Sequence, residues 1–458
     1  MSDAGFTTCL RTIWTGAGGE ARALGHAGRS GTGGLPSVFA VTDLAAGSVA
    51  AAGLAAAELI AARHGAWPAV TVDRRLVSFW FGMTLRPEGW SLPPAWDAVA
   101  GDYAASDGWI RLHTNAPHHR AAALAVLGVR EDRAAVAQAV ARWGKAELES
   151  AVVAKGGAAA AMNTLAEWAA HPQGRAVGAE PMVHRDLTDT VATPDWTVPR
   201  GRPLAGLRVL DLTRVLAGPV ATRFLAGLGA EVLRIDPPDW DEPGVVPEVS
   251  LGKRTARLDL RDPAALAVVE RLLAQADVMV HGYRSDALER LGLGAERRRA
   301  LRPGLVDVCL DAYGWTGPWR ARRGFDSLVQ MSSGIADAGM RRLGKDKPFP
   351  LPVQALDHAC GYAMATAALR GITHRLRTGQ GSAARLSLAR IAALLTSVPS
   401  VEEAPLAPET PDDLSDAIEP TGWGPARRIK PPVSIEGAPL AWTVPSGPLG
   451  ACPPAWIA

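Results

Sequence analysis

Cysteine is scarce in this sequence, and the cysteines present are widely separated. The 458 residues contain four, Cys9, Cys309, Cys360 and Cys452, and no two of them form a Cys-x-x-Cys pair. This spacing argues against a zinc site built on thiolates and against a disulfide framework. We therefore expect a reducing, cytoplasmic setting.

Net charge and strongly hydrophobic runs are also lacking. The formal charge of +2 gives no general attraction to nucleic acid or to an anionic membrane. No charged-then-apolar signal segment opens the chain. The longest weakly apolar run, residues 44–62, is mostly Ala and Gly and contains Glu58, which predicts a packed helix of a soluble protein. We expect no nucleic-acid partner and no membrane partner.

Motifs for metal or phosphate binding are weak in the first half of the chain. His118 and His119 are adjacent, so their side chains diverge on most backbones, and together with His113 they do not predict a metal site. Residues 1–35 are rich in Gly and Ala, but no strand-like run precedes these glycines. The pattern therefore predicts a flexible segment and not a phosphate-binding loop.

A Pro-rich linker, residues 194–204, separates two patterns of secondary structure. Before it, residues 36–193 predict a smaller α+β domain, with a helix from about Asp43 to Arg63 and a hairpin turn at Asp107-Gly108. After it, residues 205–399 alternate strand-like and helical segments. This alternation predicts an α/β fold, a Rossmann-like parallel sheet with helices on both faces. Residues 400–458 indicate a Pro-rich excursion and a C-terminal tail.

The first strand-turn-helix after the linker matches a dinucleotide site only in part. Asp236 ends the second strand, where a ribose-binding acid would stand, but the turn at residues 213–219 has one glycine where the fingerprint has three. Lys253 does not belong to a P-loop, because Pro247 occupies the position of the first glycine. A nicotinamide dehydrogenase stays an alternative that the residues do not favour.

Two aspartates begin long small-residue helices with the same layout. Asp43 and Gly47 keep the spacing of Asp357 and Gly361, and a basic residue and a glycine follow each helix at matching offsets. An Asp in the first helical turn is held ionised by the helix dipole. Such a residue either caps its helix or, if it faces a cavity, acts as a nucleophile. The sequence leaves both readings open.

The second half strongly resembles the family III coenzyme A transferases, the group of carnitine-CoA and formyl-CoA transferases. The resemblance runs in order through residues 205–395. Its motifs are Gly206-Leu207-Arg208-Val209-Leu210-Asp211-Leu212, Val215-Leu216-Ala217-Gly218-Pro219, Gly252-Lys253-Arg254, Leu291-Gly292-Leu293, Gly324-Phe325-Asp326, Asp357-x-x-x-Gly361 and Arg377-Thr378-Gly379-Gln380-Gly381.

The resemblance implies a transferase that moves coenzyme A from an acyl-CoA donor to a carboxylic acid through a covalent aspartyl intermediate. It implies Asp357 as the nucleophile, with Asp43 as a secondary possibility. Coenzyme A would be a substrate, with no permanently bound cofactor and no metal. The residues implied to line the coenzyme A site are Arg214, Leu216, Ala217, Lys253, Arg254, Tyr283, Arg290 and Arg323.

The chain also departs from the family pattern. Phe325 stands where the family's racemase branch has a histidine, which disfavours racemisation. Leu216 stands where formyl-CoA transferases have Gln. The first half resembles the part of the family that normally follows the Rossmann-like segment, so it indicates a partial second copy. Because family members form interlocked dimers, the protein is expected either to form a homodimer or to contain part of that architecture in one chain. A catalytically inactive acyl-CoA binding protein is the alternative function.

Overall fold

The structure is a computed structural model that describes residues 4–284, 286–400 and 404–457. In the first half, several helices pack around one long helix. The helices are α1 (Ala4–Gly16), α2 (Val41–His64), α3 (Arg74–Trp80), α4 (Pro117–Leu127), α5 (Arg133–Val140), α6 (Lys145–Ala154), α7 (Leu165–Ala170) and α8 (Pro172–Ala179). The strands are β1 (Ala27–Ser30), β2 (Val70–Asp73), β3 (Leu85–Pro87), β4 (Gly101–Ala105), β5 (Gly108–Leu112), β6 (Ala159–Ala161) and β7 (His184–Thr190).

The second half alternates strands and helices and ends in short strands. The helices are α9 (Ala217–Gly227), α10 (Val246–Val249), α11 (Pro263–Leu273), α12 (Ala287–Arg290), α13 (Ala295–Leu301), α14 (Asp326–Ser332), α15 (Ile335–Arg342), α16 (Ala355–Thr378) and α17 (Leu388–Ser397). The strands are β8 (Arg208–Leu212), β9 (Glu231–Asp236), β10 (Lys253–Arg257), β11 (Val278–His281), β12 (Val306–Asp311), β13 (Gln380–Ser387), β14 (Glu419–Thr421), β15 (Gly424–Arg428) and β16 (Val433–Ile435).

The main sheet has the strand order β10-β9-β8-β11-β12-β13-β7. Its first six strands are parallel, and β7 is antiparallel to β13. The chain moves outward from β8 to β10 and then returns to β11 on the other side, so the strand order reverses between β8 and β11. Ligands of such doubly wound sheets bind outside the carboxyl ends of the strands at this reversal.

Helices cover both faces of this sheet, which confirms the predicted α/β fold. Because successive side chains of a strand point to opposite faces, neighbouring strand residues join different cores. Val209 and Val278 belong to the large core that contains α9 and α16, whereas Leu210 and Met279 pack with α11.

Helix α2 is long and apolar enough to cross a membrane by length and composition, and 89% of its most apolar window is buried inside the protein. Its Ala and Gly residues let α1 and α16 approach closely. The prediction of a flexible segment over residues 1–35 is wrong for residues 4–30. Phe6, Cys9 and Trp14 of α1 are buried in the large core. A short 3₁₀ helix (Ala21–His26) and β1 follow.

Strand pairing crosses the divisions expected from the sequence. The predicted hairpin at Asp107-Gly108 is present as β4 and β5. However, β7, which precedes the linker, completes the main sheet. From the C-terminal segment, β15 pairs with β3 and β16 pairs with β2. The regions on either side of the linker therefore share sheets in both directions.

Candidate active site

A cavity of about 300 Å³ opens at the carboxyl edge of the main sheet, where the strand order reverses. Its walls come from the loops after β8, β11 and β12, from residues 320–325, and from the first turn of α16, where Asp357 lies. His118 and His119 of α4 complete the wall from the first half of the chain. We call this space the switch-point cavity.

Asp357 does not cap its own helix, because another residue fills that role. One carboxylate oxygen of Asp326, Oδ2, accepts the backbone N–H groups of Leu356 at 2.9 Å and Asp357 at 3.0 Å. Gln354, at the N-cap position, makes no side-chain capping bond. Within the described residues no hydrogen bond reaches the Asp357 carboxylate, which is only 7% exposed. Its oxygen lone pairs are therefore available to the cavity.

The environment of Asp357 favours the protonated acid. Burial, and then the nearby charge of Asp326, raise the pKa of Asp357 well above its ordinary value. Burial likewise raises the pKa of Asp326 to about 6, although the hydrogen bonds it accepts act in the opposite direction. The expectation that the helix dipole holds Asp357 ionised is therefore corrected: desolvation and a like charge outweigh the dipole.

A cluster of positive charge lines the same cavity. The guanidinium of Arg214 lies 4.6 Å from the ring of Trp240 and 5.0 Å from the ring of Tyr283, and it donates to the Tyr283 hydroxyl at 3.1 Å. Burial, and then the charge of Arg284, lower the pKa of Arg323. In the described part of the chain, Arg214, Arg284 and Arg323 form no ion pair with a carboxylate. Unopposed guanidiniums of this kind suit phosphate oxygens.

The structure brings together most of the site residues expected from the sequence, but not all. Arg214, Leu216, Ala217, Tyr283 and Arg323 line the switch-point cavity with Asp357. The other three residues expected to line the coenzyme A site lie outside this cavity, and each makes a different contact. They are Lys253, Arg254 and Arg290.

Lys253 serves the interior of the domain. Its ammonium group is fully enclosed, 3.0 Å from Asp211 Oδ2 and 2.9 Å from the Pro219 carbonyl oxygen. Burial lowers its pKa to about 8. Arg254, on the edge strand β10, is 3.4 Å from Glu231, and Arg290 forms an exposed pair with Asp286 at 2.9 Å. None of the three lines the switch-point cavity, so their contact with a ligand stays a prediction.

Sequence reasoning missed Arg284 and Asp311. Asp311 is the last residue of β12, and its Oδ1 accepts the N–H of Gly314 at 2.8 Å. Its Oδ2 is buried and has no hydrogen-bond partner in the described residues. Burial raises the pKa of Asp311 to about 8. Its position at the carboxyl end of a strand beside the reversal was the available signal.

The histidines do not gather into a metal site. His113 stacks on Phe325 with ring centroids 3.8 Å apart, and His119 meets the same ring edge-on. The described residues contain no group of three or more His, Cys, Asp or Glu side chains that could hold a metal ion.

Asp43, which has the same helix position as Asp357, lies in a different environment. Its carboxylate forms an ion pair with Arg74, whose side chain is buried. Helix α1 lies directly against it, since a Cβ atom on Gly5 would be 2.1 Å from Asp43 Oδ2. Asp43 is therefore ion-paired and packed against α1, whereas Asp357 faces a cavity and has no ion-pair partner in the described residues.

A second cavity, of about 460 Å³, adjoins the first. The two share Val215, Leu216, Trp240 and Phe325 in their walls. On α16 the second cavity is lined by Gln354 and His358, which flank Asp357. Most of its remaining wall comes from apolar and aromatic side chains, including Phe81, Met83, Leu92 and Trp96. We call it the apolar cavity.

The part of the chain that carries this site is similar to known proteins. Residues 204–420 match the model of CoA-transferase family III. The chain is 34% identical over 205 residues to a probable fatty acyl-CoA transferase of Mycobacterium tuberculosis, a match that covers 42% of this chain and 52% of that protein. It is 35% identical over 195 residues to the succinyl-CoA:glutarate CoA-transferase of Mus musculus, covering 39% and 44%.

A solved structure gives a similar partial match. The orthorhombic crystal structure of Rv3272 from M. tuberculosis is 32% identical, with a TM-score of 0.41, and the match covers 43% of this chain and 58% of that one. The chain thus spans about half the length of the curated relatives it matches. Residues 204–420, which match the model of CoA-transferase family III, contain Asp357 and most of the wall of the switch-point cavity.

Proposed function

We propose that this protein transfers coenzyme A from an acyl-CoA to a carboxylic acid, with Asp357 as the covalent nucleophile. One observation carries the proposal. Asp326 accepts the helix-capping hydrogen bonds, so among the described residues the Asp357 carboxylate has no partner. It lies at the wall of a cavity that also carries Arg214, Arg284 and Arg323. The relatives named as CoA-transferases support the same activity.

The chemistry proceeds through acyl exchange at one carboxylate. Ionised Asp357 attacks the thioester carbonyl, forming a mixed anhydride and releasing the CoA thiolate. The thiolate attacks the aspartyl carbonyl, giving an aspartyl-CoA thioester and the free donor acid. The acceptor carboxylate then attacks this thioester, and the returning thiolate takes the new acyl group and frees Asp357. Each step replaces a difficult direct exchange with one through a covalent intermediate.

The arginines would keep the coenzyme in place while its sulfur is free. Arg214, Arg284 and Arg323 are positioned to contact phosphate oxygens, and Tyr283 and Trp240 offer ring faces beside them. Holding the thiolate near the aspartyl carbonyl raises its effective concentration over that of free thiol in solution.

The test is chemical trapping at Asp357. Incubation of the protein with acyl-CoA and hydroxylamine should convert Asp357 to a hydroxamate that mass spectrometry can locate. Asp357→Ala should abolish transfer and trapping while CoA still binds, because the arginines are untouched. Asp43→Ala is the matched control, at the equivalent position of α2, and should trap normally. Normal turnover in Asp357→Ala would refute the proposal.

The rival function, a non-catalytic acyl-CoA binding protein, draws on the raised pKa of Asp357, since a protonated acid is not a nucleophile. The same experiment separates the two. Binding of acyl-CoA with no hydroxamate at any pH at which the protein stays folded would favour the binding protein.

We also propose that the first half is a partial second copy of the domain. The packing around the two long helices supports this. A Cβ atom on Gly47 would be 2.6 Å from Cys9 of α1, and one on Gly361 would be 2.4 Å from the Ala217 carbonyl oxygen of α9. Helix α1 thus contacts α2 at the same offset at which α9 contacts α16. Light scattering of the active protein would show whether one chain is sufficient or a homodimer is required.

A further inference from the structure

The position and the lining of the apolar cavity indicate which kind of acid could bind beside Asp357. It begins beside Asp357, because its near wall contains Gln354 and His358 at the start of α16 and the shared residues Leu216 and Phe325. An acyl group attached to Asp357 and directed away from the arginines would enter it. Its volume of about 460 Å³ lies within the range of small-molecule sites, roughly 300–1,000 Å³.

The wall of this cavity contains no counterion for a second carboxylate. None of the described residues that line it is Lys or Arg. Its titratable members are four acids, Asp97, Asp241, Glu242 and Glu248, and two histidines. The arginines paired with Glu242 and Glu248 are Arg234, Arg223 and Arg428. All three are buried, and none of them lines the cavity.

The charges of the wall act further against an anionic ligand. Asp97 Oδ1 accepts the N–H groups of Val99 at 2.8 Å and Ala100 at 3.0 Å, while its Oδ2 is buried with no hydrogen-bond partner in the described residues. A ligand carboxylate placed here would lose its hydration, meet like charge and gain no cation, which is the costly form of burial.

The two histidines do not supply positive charge either. Burial, and then the charges of Arg111 and His119, lower the pKa of His113 to about 3. Burial, and then Arg223, lower the pKa of His358 to about 3. Both rings are neutral near neutral pH. By contrast, the side chains of Phe81, Met83, Leu92 and Trp96 gain free energy when they cover an apolar group.

On the basis of the transferase function proposed above, we infer that the acid exchanged at Asp357 is a monocarboxylic acid with an apolar body, held in the apolar cavity, and that dicarboxylic acids are rejected. The relatives whose names specify succinate or glutarate act on dicarboxylates. The inference therefore separates this chain from them by substrate charge.

Pentanoate and glutarate test the inference because they differ by one methyl group in place of one carboxylate. With a common acyl-CoA donor, kcat/KM for pentanoate should exceed that for glutarate by roughly 100-fold or more, since a site rejects a group that it leaves buried and unpaired. Equal rates, or a preference for glutarate, would overturn the inference while leaving Asp357 as nucleophile.

A binding measurement keeps the test independent of turnover. In the full-length Asp357→Asn variant, pentanoyl-CoA should bind more tightly than glutaryl-CoA by calorimetry, because both share the coenzyme and differ only in the acyl end. Tighter binding of glutaryl-CoA would overturn the inference. If this preference holds but no hydroxamate forms in the unmodified protein, the proposed chemistry fails and the ligand assignment stands.

A cation placed in the wall should reverse the selectivity. Leu92 lies in the loop before β4 and is partly exposed, so Leu92→Arg adds a charge with little disturbance of the core. This variant should gain activity with glutarate relative to pentanoate. Leu92→Met, which keeps the size and adds no charge, should retain the original preference. If both variants shift alike, charge is not the determinant and the inference fails.

Discussion

At the scale of single residues, the molecule contains two similar aspartates with opposite surroundings. In the part of the chain that the structure describes, the buried Asp357 carboxylate has no hydrogen bond, whereas Asp43 is paired with Arg74 and packed against α1. Sequence could place both in the first turn of a small-residue helix. It could not tell them apart, because the groups that decide the matter, Asp326 and Arg74, come from other parts of the chain.

Asp357→Asn should stabilise the protein while abolishing transfer. The pKa of Asp357 is raised in the folded state, so its contribution to stability is full below the ordinary aspartate pKa and is lost as pH rises through the folded pKa. At pH 8 the amide should raise the free energy of unfolding by on the order of 1–3 kcal/mol, the cost of a buried unsatisfied group. Urea unfolding at pH 5 and pH 8 measures this, and an equal difference at both values would contradict it.

Asp43→Asn should lower the stability of the protein and leave CoA transfer intact, the opposite of what is expected for Asp357→Asn. The substitution removes the negative charge from a partly buried ion pair with Arg74, so the free energy of unfolding should fall by on the order of 1–3 kcal/mol. Turnover per folded molecule should be unchanged, because Asp357 and its cavity are not touched. Comparison of urea unfolding with the rate of CoA transfer separates these effects. Loss of turnover without loss of stability would instead make Asp43 part of the reaction.

At the scale of elements, the start of α16 is the feature that links fold to chemistry. Asp326, the first residue of α14, accepts hydrogen bonds from the first backbone N–H groups of α16 and from the Gln330 side-chain amide. The same carboxylate raises the pKa of Asp357. One side chain therefore both caps α16 and raises the pKa of the proposed nucleophile.

Asp326→Asn should move the pH dependence of transfer to lower pH. Removal of the neighbouring negative charge lets Asp357 ionise more readily, and transfer requires the ionised form. The weaker cap should cost about 1 kcal/mol of stability. The measurement is kcat/KM against pH for the variant and for Asp337→Asn, a control in α15 where Asp337 pairs with Arg341. A profile that moves to higher pH, or moves equally in the control, would contradict the coupling.

Elements were predictable from sequence to the extent that their signal is local. The alternation of strands and helices over residues 205–399 predicted the parallel sheet, and runs of small residues predicted α2 and α16. The reversal of strand order was seen only in the structure. Helix α1 was missed, because its Gly- and Ala-rich surroundings resemble a flexible segment until α2 supplies a surface for Phe6 and Trp14. The pairing of Lys253 was not predicted for a related reason, since its partner Asp211 lies on β8, two strands away in the main sheet.

At the scale of the whole molecule, pairing between distant segments joins regions that the sequence separates. Strand β16 returns to β2, β15 returns to β3, and β7 crosses to β13. A single sequence does not show which strands pair in this way, because a short strand can form hydrogen bonds with the free edge of any other strand. The walls of both cavities depend on this assembly, since residues 81–119 of the first half line them together with residues of the main domain.

Glu248 lies where three of these segments meet. Its carboxylate accepts the N–H of Thr84 at 2.9 Å and the Thr84 hydroxyl at 2.7 Å, and it pairs with Arg223 of α9 and, at 3.2 Å, with Arg428 of β15. Nothing of Glu248 is exposed. The two arginines and Thr84 together hold the pKa of Glu248 below its usual value, although burial opposes them.

Glu248→Gln should therefore weaken the assembly of the whole chain. Two buried arginines lose their common anion, so the free energy of unfolding should fall by about 3–5 kcal/mol at pH 7. Because the folded pKa of Glu248 is depressed, its contribution is present above the ordinary glutamate pKa and is lost as pH falls through the folded pKa. The difference between variant and parent should thus shrink in acid. Glu409→Gln, which disrupts only the exposed pair with Arg86, should cost about 0–1 kcal/mol. Similar losses in the two variants would show that the segments are held together by apolar packing and not by this charge.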